Sequence, residues 1–281
     1  MIKGARRVKD LIRNKTKGDS GKSQALLRHY AMERFLERLS NSPYRNNFVL
    51  KGGMLMSSLV GLDHRSTMDI DTTVKGIPLN TDSILEIMNE IAAIPLDDDM
   101  LFSIQSTREI MEDSEYGGVR VSLMAQMEKA RIPMKIDVST GDAITPAETM
   151  YHYPLMFEDR AINIWAYPIE TVLAEKIETA LTRGIANTRM RDFYDIFMLS
   201  ELGADLNAAD MRAALEATIE KRNSEVGPAN YHDILSSIEK DGIMSERWSA
   251  YGLSNEYASS INWIDAVESL QSLCDRCWKE R

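Results

Sequence analysis

The sequence predicts an α/β domain with a mixed sheet over residues 1–167 and an all-helical domain over residues 168–281. In the first part, stretches in which apolar and polar residues alternate are separated by stretches with apolar residues at helical spacing. Strands and helices that alternate in this way are typical of a mixed α/β sheet. From Pro168 onward only the helical spacing recurs, and no repeat or low-complexity segment interrupts it.

The elements of the first domain follow from this periodicity. Residues 22–41 carry apolar side chains at helical spacing and predict an amphipathic helix ahead of the first strand. Residues 81–94 repeat the pattern and predict a second helix. Strands are predicted over residues 101–108, 118–125 and 132–139, and the last two are expected to form a hairpin.

The helical domain is predicted to begin at Pro168, because proline is tolerated in the first turn of a helix. Apolar residues from Ile169 to Leu181 form one stripe, and Gly184 marks the end of this first helix. Further helices are predicted over residues 190–203, 207–222, 229–240 and 256–278.

Residues 48–74 carry the strongest functional signal. An apolar strand leads into Gly52 and Gly53, a short apolar helix follows, and the next strand carries Asp69 and Asp71. Aspartates separated by one residue point to the same face of a strand, which is costly unless a cation lies there. A glycine turn at the start of a helix offers backbone N–H groups to a phosphate. The stretch therefore predicts a phosphate-binding turn beside metal-ligating carboxylates.

A third carboxylate is expected on a later strand. In residues 134–139, Ile136 and Val138 alternate with Asp137, so the apolar pair can be buried while the aspartate joins Asp69 and Asp71. The alternative is that Asp137 simply faces water. Asp142 lies nearby, but it follows a glycine and is expected in a loop.

Residues 48–74 resemble the core of the DNA polymerase beta-like nucleotidyltransferases, which consists of a strand, a Gly-Gly or Gly-Ser turn, a short helix and an Asp-x-Asp strand. Further motifs occur in order along the chain, namely Arg65 to Asp71, Lys135 to Asp137, Ala174 to Lys176, Arg183-Gly184 and Arg189 to Ile196. Together they are similar to the AbiEii family of nucleotidyltransferase toxins from bacterial abortive-infection and toxin–antitoxin systems. Arg191 is a departure, because many members carry lysine there.

This resemblance implies a metal-dependent nucleotidyltransferase with Mg²⁺ or Mn²⁺ as cofactor and a nucleoside triphosphate as substrate. It implies an RNA acceptor, with the transfer-RNA 3′ end the best candidate, and a cognate antitoxin as partner. The implied metal ligands are Asp69, Asp71 and Asp137, and the implied catalytic residues are Asp69, Asp71, Lys176, Asp192 and Asp195. The residues expected to bind the nucleotide are Gly52, Gly53, Arg65, Thr67 and Lys176.

Structural alternatives exist for the residues in the helical domain. Lys176 lies at the apolar stripe of its helix, where its stem could pack while its ammonium group reaches water. Asp192 and Asp195 share a helix face. They could be acids favoured by the helix dipole at a helix start, with Arg191 and Asp195 forming a surface pair.

Composition and charge narrow the class of protein. Only two cysteines occur, Cys274 and Cys277, which excludes a disulfide framework and makes ordinary helix residues the default for this Cys-x-x-Cys. No apolar run is long enough for a membrane span, so a cytoplasmic protein without a membrane partner is expected. The net charge is −10, yet residues 1–28 carry nine basic side chains. This segment either binds the phosphates of an RNA or is a solvated, mobile terminus. Arg183, Arg189 and Arg191 form a second basic cluster.

Two other functions use the same motifs. A small-molecule nucleotidyltransferase would need an acidic pocket for cationic substrates, and the basic N-terminal segment argues against it. A nucleotide-binding module without catalysis would keep the glycines and lose a carboxylate, whereas Asp69, Asp71 and Asp137 are all present.

Overall fold

A computed structural model describes residues 2–65, 67–110, 117–202 and 206–279. Its contacts divide the chain into two compact units. The sheet unit comprises Met1–Leu59, Ser66–Gly141 and Thr149–Ala166. The helical unit comprises Val60–Arg65, Asp142–Glu148 and Tyr167–Arg281.

The sheet unit is built on a mixed sheet with the strand order β3-β4-β5-β2-β1-β7-β6. Strand β2 is central, because it pairs antiparallel with β1 and parallel with β5. The strands are β1 (Phe48–Lys51), β2 (Asp69–Val74), β3 (Leu101–Ile110), β4 (Gly118–Met127), β5 (Ala130–Ser139), β6 (Thr149–Pro154) and β7 (Ala161–Ala166). The helices are α1 (Ala5–Thr16), α2 (Ser20–Ser40), α3 (Gly52–Val60) and α4 (Thr81–Ala92).

The predicted strands and their hairpin are present as β3, β4 and β5, but β6 and β7 were not predicted. The side chains of β6 are mostly exposed, and β7 buries only every second residue over six positions. Such short strands give a weak sequence signal, because tertiary pairing rather than local pattern decides them.

The basic N-terminal segment forms helix α1, which was also not predicted. Its face with Ala5, Val8 and Ile12 is buried, while Arg6 and Arg7 are exposed. Because α1 packs along α2, this segment is a helix rather than a mobile tail. Its basic side chains remain on the outer face.

Helix α2 is buried over its second half, including charged residues that hide its amphipathic pattern. The guanidinium group of Arg38 donates to both carboxylate oxygens of Asp98 at 2.7 and 2.9 Å and to the carbonyl oxygen of Met100 at 2.8 Å. Arg34 and Arg160 both donate to the carboxylate of Glu37. These ion pairs hold α2 against the segment that precedes β3 and against the turn between β6 and β7.

The helical unit confirms the predicted helical C-terminal region. Its helices are α5 (Ile169–Arg183), α6 (Met190–Glu201), α7 (Ala208–Lys221), α8 (Tyr231–Lys240), α9 (Gly242–Ser254) and α10 (Trp263–Trp278). The helix predicted over 256–278 begins only at Trp263, because Glu256–Ala258 forms a separate 3-10 turn. Helix α9 was not predicted, since it contains Gly242 and Gly252 and buries only two residues.

Two expectations from composition can be compared with the structure. Cys274 and Cys277 are buried in α10 as free thiols. Among the helices of the described residues, none combines the length and the apolarity that a bilayer crossing requires.

Candidate active site

The carboxylates predicted from the sequence lie side by side in the centre of the sheet. Within the pairing of β2 with β5, Asp71 is the register partner of Asp137, and Asp69 is the partner of Lys135. Within the pairing of β2 with β1, Asp71 lies opposite Lys51. Asp69 and Asp71 are both half-buried on one face of β2, and their neighbour Ile70 is buried on the other. The alternation of the strand therefore places two carboxylates together, with a third on the adjacent strand.

Asp71 is the carboxylate whose environment least favours its charge. Burial raises its pKa from an ordinary 3.8 to about 6. The backbone N–H of Gly53, which donates to Asp71 Oδ2 at 3.1 Å, and the charge of Lys51 oppose this rise, whereas Asp69 and Asp137 add to it. A bound cation would stabilise the charged form of this carboxylate and lower its pKa.

The two glycines that begin α3 are fitted to Asp71. Gly52 has φ +61°, and a Cβ atom at this position would lie 2.1 Å from Asp71 Oδ2. The missing side chain of Gly52 thus gives room to the carboxylate, while the next backbone N–H, of Gly53, binds it. The sequence predicts that the glycines let a phosphate approach the backbone. The structure shows a further reason for glycine at position 52, which is the close approach of the Asp71 carboxylate.

We expect Gly52→Ala to destabilise the protein by about 2–4 kcal/mol, because a positive φ and a clash with Asp71 both oppose the new methyl group. Gly76→Ala is the matched control, since Gly76 has φ +70° but its Cβ would meet only an ordinary contact at 3.6 Å. This control should lose about 1–2 kcal/mol. Urea unfolding of both variants measures the difference, and equal losses would show that the approach of Asp71 does not constrain position 52.

Asp137 is held by Arg120, which was not among the predicted site residues. Arg120 donates from Nε to Asp137 Oδ1 at 2.7 Å and from Nη2 to Oδ2 at 2.5 Å. The two residues are direct register partners across β4 and β5. The predicted hairpin contained the signal, because a turn at residues 128–129 places Arg120 opposite Asp137. The alternative that Asp137 faces water is wrong, since its side chain is buried.

The donor chemistry of this cluster fits a divalent metal ion. Carboxylate oxygens are the ligands that Mg²⁺ and Mn²⁺ prefer, and Asp69 and Asp71 offer them from one strand face. Within the described part of the chain, no group of three or more His, Cys, Asp or Glu side chains has an arrangement that could hold a metal. Both carboxylate oxygens of Asp137 accept hydrogen bonds from Arg120. Asp137 could join Asp69 and Asp71 as a ligand by giving up one of these bonds.

A second cluster of predicted residues lies in the helical unit and is centred on Asp195. The carboxylate of Asp195 is fully buried and accepts from Arg65 Nε at 3.0 Å and from Arg65 Nη2 at 3.2 Å. It also pairs with Lys176 Nζ at 2.8 Å, and the same ammonium group donates to Asp192 Oδ1 at 2.7 Å. Asp195 thus orients a lysine and an arginine, and it is not part of a surface pair with Arg191.

The charges in this cluster support one another. Burial disfavours the charge of Lys176, but the carboxylates of Asp192 and Asp195 outweigh it, so the pKa of Lys176 is raised. Burial likewise disfavours the charge of Asp195, but Lys176 and Arg65 lower its pKa. Burial also disfavours the charge of Arg65, but Asp195 outweighs it and raises the pKa of this guanidinium group. Lys176, Arg65 and Asp195 are therefore charged at neutral pH, and the two cations are held in fixed positions.

The segment before β2 is fixed at both of its ends. Tyr194 on α6 donates its hydroxyl to the carbonyl oxygen of His64 at 2.6 Å, next to the Arg65–Asp195 pair. Thr67 is buried, and its hydroxyl donates to the carbonyl oxygen of Asp69 at 3.3 Å. Tyr194 was missed by the sequence analysis, because an aromatic residue on a helix is ordinarily a core residue.

A sequence profile described as "Nucleotidyl transferase AbiEii toxin, Type IV TA system" matches residues 34–266. The chain belongs to the AbiEii nucleotidyltransferase toxin family. The matched range contains every residue of both clusters. Membership of the AbiEii family confirms the resemblance seen in the ordered motifs and identifies the chain as a nucleotidyltransferase.

A solved structure shares the fold of this chain. MenT4, a nucleotidyltransferase toxin from Mycobacterium tuberculosis, is 14% identical with a TM-score of 0.57, covering 96% of this chain and 99% of its own. JHP933 from Helicobacter pylori is 18% identical with a TM-score of 0.46, covering 90% of this chain and 93% of its own. No curated protein shows significant similarity to the chain.

Proposed function

We propose that this AbiEii-family enzyme uses a divalent metal ion, Mg²⁺ or Mn²⁺, to transfer nucleotides from a nucleoside triphosphate to RNA. The observation that supports metal dependence best is the cluster of Asp69, Asp71 and Asp137 on adjacent strands. Its central carboxylate has a pKa raised to about 6, so the protein alone does not compensate this charge. When bound there, a divalent ion would polarise the phosphates and lower the pKa of an attacking hydroxyl group.

The residues of the two clusters have distinct proposed roles. Asp69 and Asp71 hold the metal, and Gly53 orients Asp71 through its backbone N–H. Arg120 orients Asp137, which becomes the third ligand when one of its hydrogen bonds to Arg120 is released. Lys176 and Arg65 bind the triphosphate, and Asp195 keeps both cations in place. A cation held by a buried carboxylate is oriented before the substrate arrives, which reduces the entropy lost on binding.

The RNA acceptor is proposed from the family and from the distribution of charge. Although the chain carries a net charge of −10, the exposed face of α1 is basic and suits a phosphate backbone. The transfer-RNA 3′ end is the acceptor we favour, with growth arrest through blocked translation as the consequence. A cognate antitoxin encoded alongside would counteract this effect.

The proposal is tested by incubating the protein with each labelled nucleoside triphosphate, Mg²⁺ and total RNA, followed by a denaturing gel. We expect label in the transfer-RNA band for one or a few of the triphosphates, and none in the presence of a chelator. Asp69→Asn is the control for a contaminating activity, because asparagine keeps the shape of the side chain. Label that appears only in small molecules would contradict the RNA acceptor.

A further inference from the structure

A shallow, open pocket of about 680 Å³ lies on the helical unit, between the start of α6 and helix α9. Three arginines, Arg189, Arg191 and Arg247, line it together with Thr188 and Tyr251. A volume of this size can hold one nucleotide unit, since small-molecule sites span roughly 300–1,000 Å³. Arg189 and Arg191 belong to the basic cluster predicted from the sequence, and Arg247 comes from a distant part of the chain.

The arginines of this pocket differ in how they are held. Arg247 Nη1 donates to the carbonyl oxygens of Ile185 and Asn187 at 3.1 and 3.0 Å, which fixes its guanidinium group at the wall. Arg191 is exposed, and within the described residues its guanidinium group has neither a hydrogen bond nor an ion pair. Arg247 is thus anchored, while the N–H donors of Arg191 are available. Such a pair of arginines can bind an oxyanion.

The pocket is suited to a phosphodiester rather than to a metal-bound triphosphate. Asp192 is the carboxylate among its lining residues, and Lys176 already binds it at 2.7 Å. The wall therefore has a net positive charge and lacks the open carboxylates that would hold the metal ion accompanying a triphosphate. The net charge of the protein is −10, so three arginines around one pocket make a local positive site that favours an anion.

We propose that this arginine pocket binds a backbone phosphate of the acceptor RNA strand. The choice of RNA rests on the proposed function, whereas the choice of a phosphate rests on the pocket itself. Arg191 provides open donors to the phosphate oxygens, and Arg247 supports it from the opposite helix. The contact is independent of sequence, because the phosphate carries no base information.

The test uses a fluorescent single-stranded RNA of twelve nucleotides, titrated with the full-length protein at several salt concentrations. Arg191→Gln should weaken binding several-fold at low salt, and the slope of log affinity against log salt should fall in magnitude by about 0.7, the value for one phosphate on a single strand. The matched control is Arg212→Gln. Arg212 is an exposed arginine of the same unit, and its ion-pair partner among the described residues is Glu216 on its own helix, at 3.2 Å. This control should keep the wild-type slope.

A second measurement separates RNA from the nucleotide. Calorimetric titration with Mg²⁺ and a nucleoside triphosphate should give the same affinity for Arg191→Gln as for the wild-type protein. Equal RNA slopes in both arginine variants, or a loss confined to triphosphate binding, would overturn the proposal. RNA binding is measured here without nucleotidyl transfer. If the wild-type enzyme labels no RNA but Arg191→Gln still lowers RNA affinity, the phosphate-binding role of the pocket stands and only the proposed RNA acceptor is contradicted.

Discussion

Replacing Asp71 by asparagine should reduce nucleotidyl transfer by a factor on the order of 10³ and at the same time stabilise the metal-free protein. The loss of activity is expected because asparagine removes a carboxylate from the pair that we assign to the metal. The gain in stability is expected because, in the metal-free protein, desolvation and the nearby Asp69 and Asp137 disfavour the charge of this half-buried carboxylate. Asparagine can still accept the hydrogen bond from Gly53.

The sign of the stability change follows from the pKa of Asp71. Burial raises it in the folded protein from an ordinary 3.8 to about 6, so the folded state binds more protons than the unfolded state between these values. Stability contributed by this residue therefore falls as the pH rises from about 4 to about 6. Asp71→Asn removes this loss, and its advantage at pH 7.5 should be on the order of 1–3 kcal/mol.

Urea unfolding in chelator at pH 7.5 and pH 4 measures this advantage, which should be present at the higher pH and vanish at the lower one. Asp159→Asn serves as the control, because Asp159 is an exposed aspartate of the same unit. A variant that is less stable than the wild-type protein at pH 7.5 would be inconsistent with an uncompensated charge at position 71.

Replacing Asp195 by asparagine should change the stability more than Asp71→Asn does and in the opposite direction, with a loss of about 3–5 kcal/mol. Its partners Arg65 and Lys176 would then be buried cations without their shared anion. Asp192→Asn should lose only about 1 kcal/mol, because Asp192 is half-buried and Lys176 keeps its bond with Asp195.

Thermal and urea unfolding of Asp195→Asn and Asp192→Asn compare the two carboxylates directly. Since the folded state lowers the pKa of Asp195, its contribution is present at neutral pH and is lost on acidification through that lowered pKa. If Asp195→Asn does not fold, Arg65→Gln reports on the same ion pair. Equal and small losses in all three variants would refute the central position of Asp195.

The sequence predicted those parts of the site that depend on local pattern. Asp69 and Asp71 share a face because side chains alternate along a strand. Gly52 and Gly53 could be recognised because they lie where an apolar strand ends and a helix begins. Asp137 could be placed because its strand has buried residues on either side. These inferences need no knowledge of distant contacts.

The remainder depends on residues that are far apart in the chain. Arg120 becomes relevant only once the register of the hairpin is known, and Tyr194 only once α6 is packed against the segment before β2. The buried charges of α2 could not be foreseen, because Arg38 finds its partner Asp98 sixty positions later. A charged residue in a sequence suggests exposure, and only the folded chain shows which charges are paired.

The fit of Gly52 to Asp71 has a consequence for how the family varies. A methyl group at position 52 would occupy the space of the carboxylate at position 71, so the two positions are expected to change together. Relatives that have replaced this aspartate by a smaller residue, and with it the metal ligand proposed here, are the ones in which a side chain should appear at position 52. The double variant Gly52→Ala with Asp71→Ala should accordingly be less destabilised than the two single variants combined. A degenerate copy of the toxin could then be recognised from its glycine turn as well as from its missing acid.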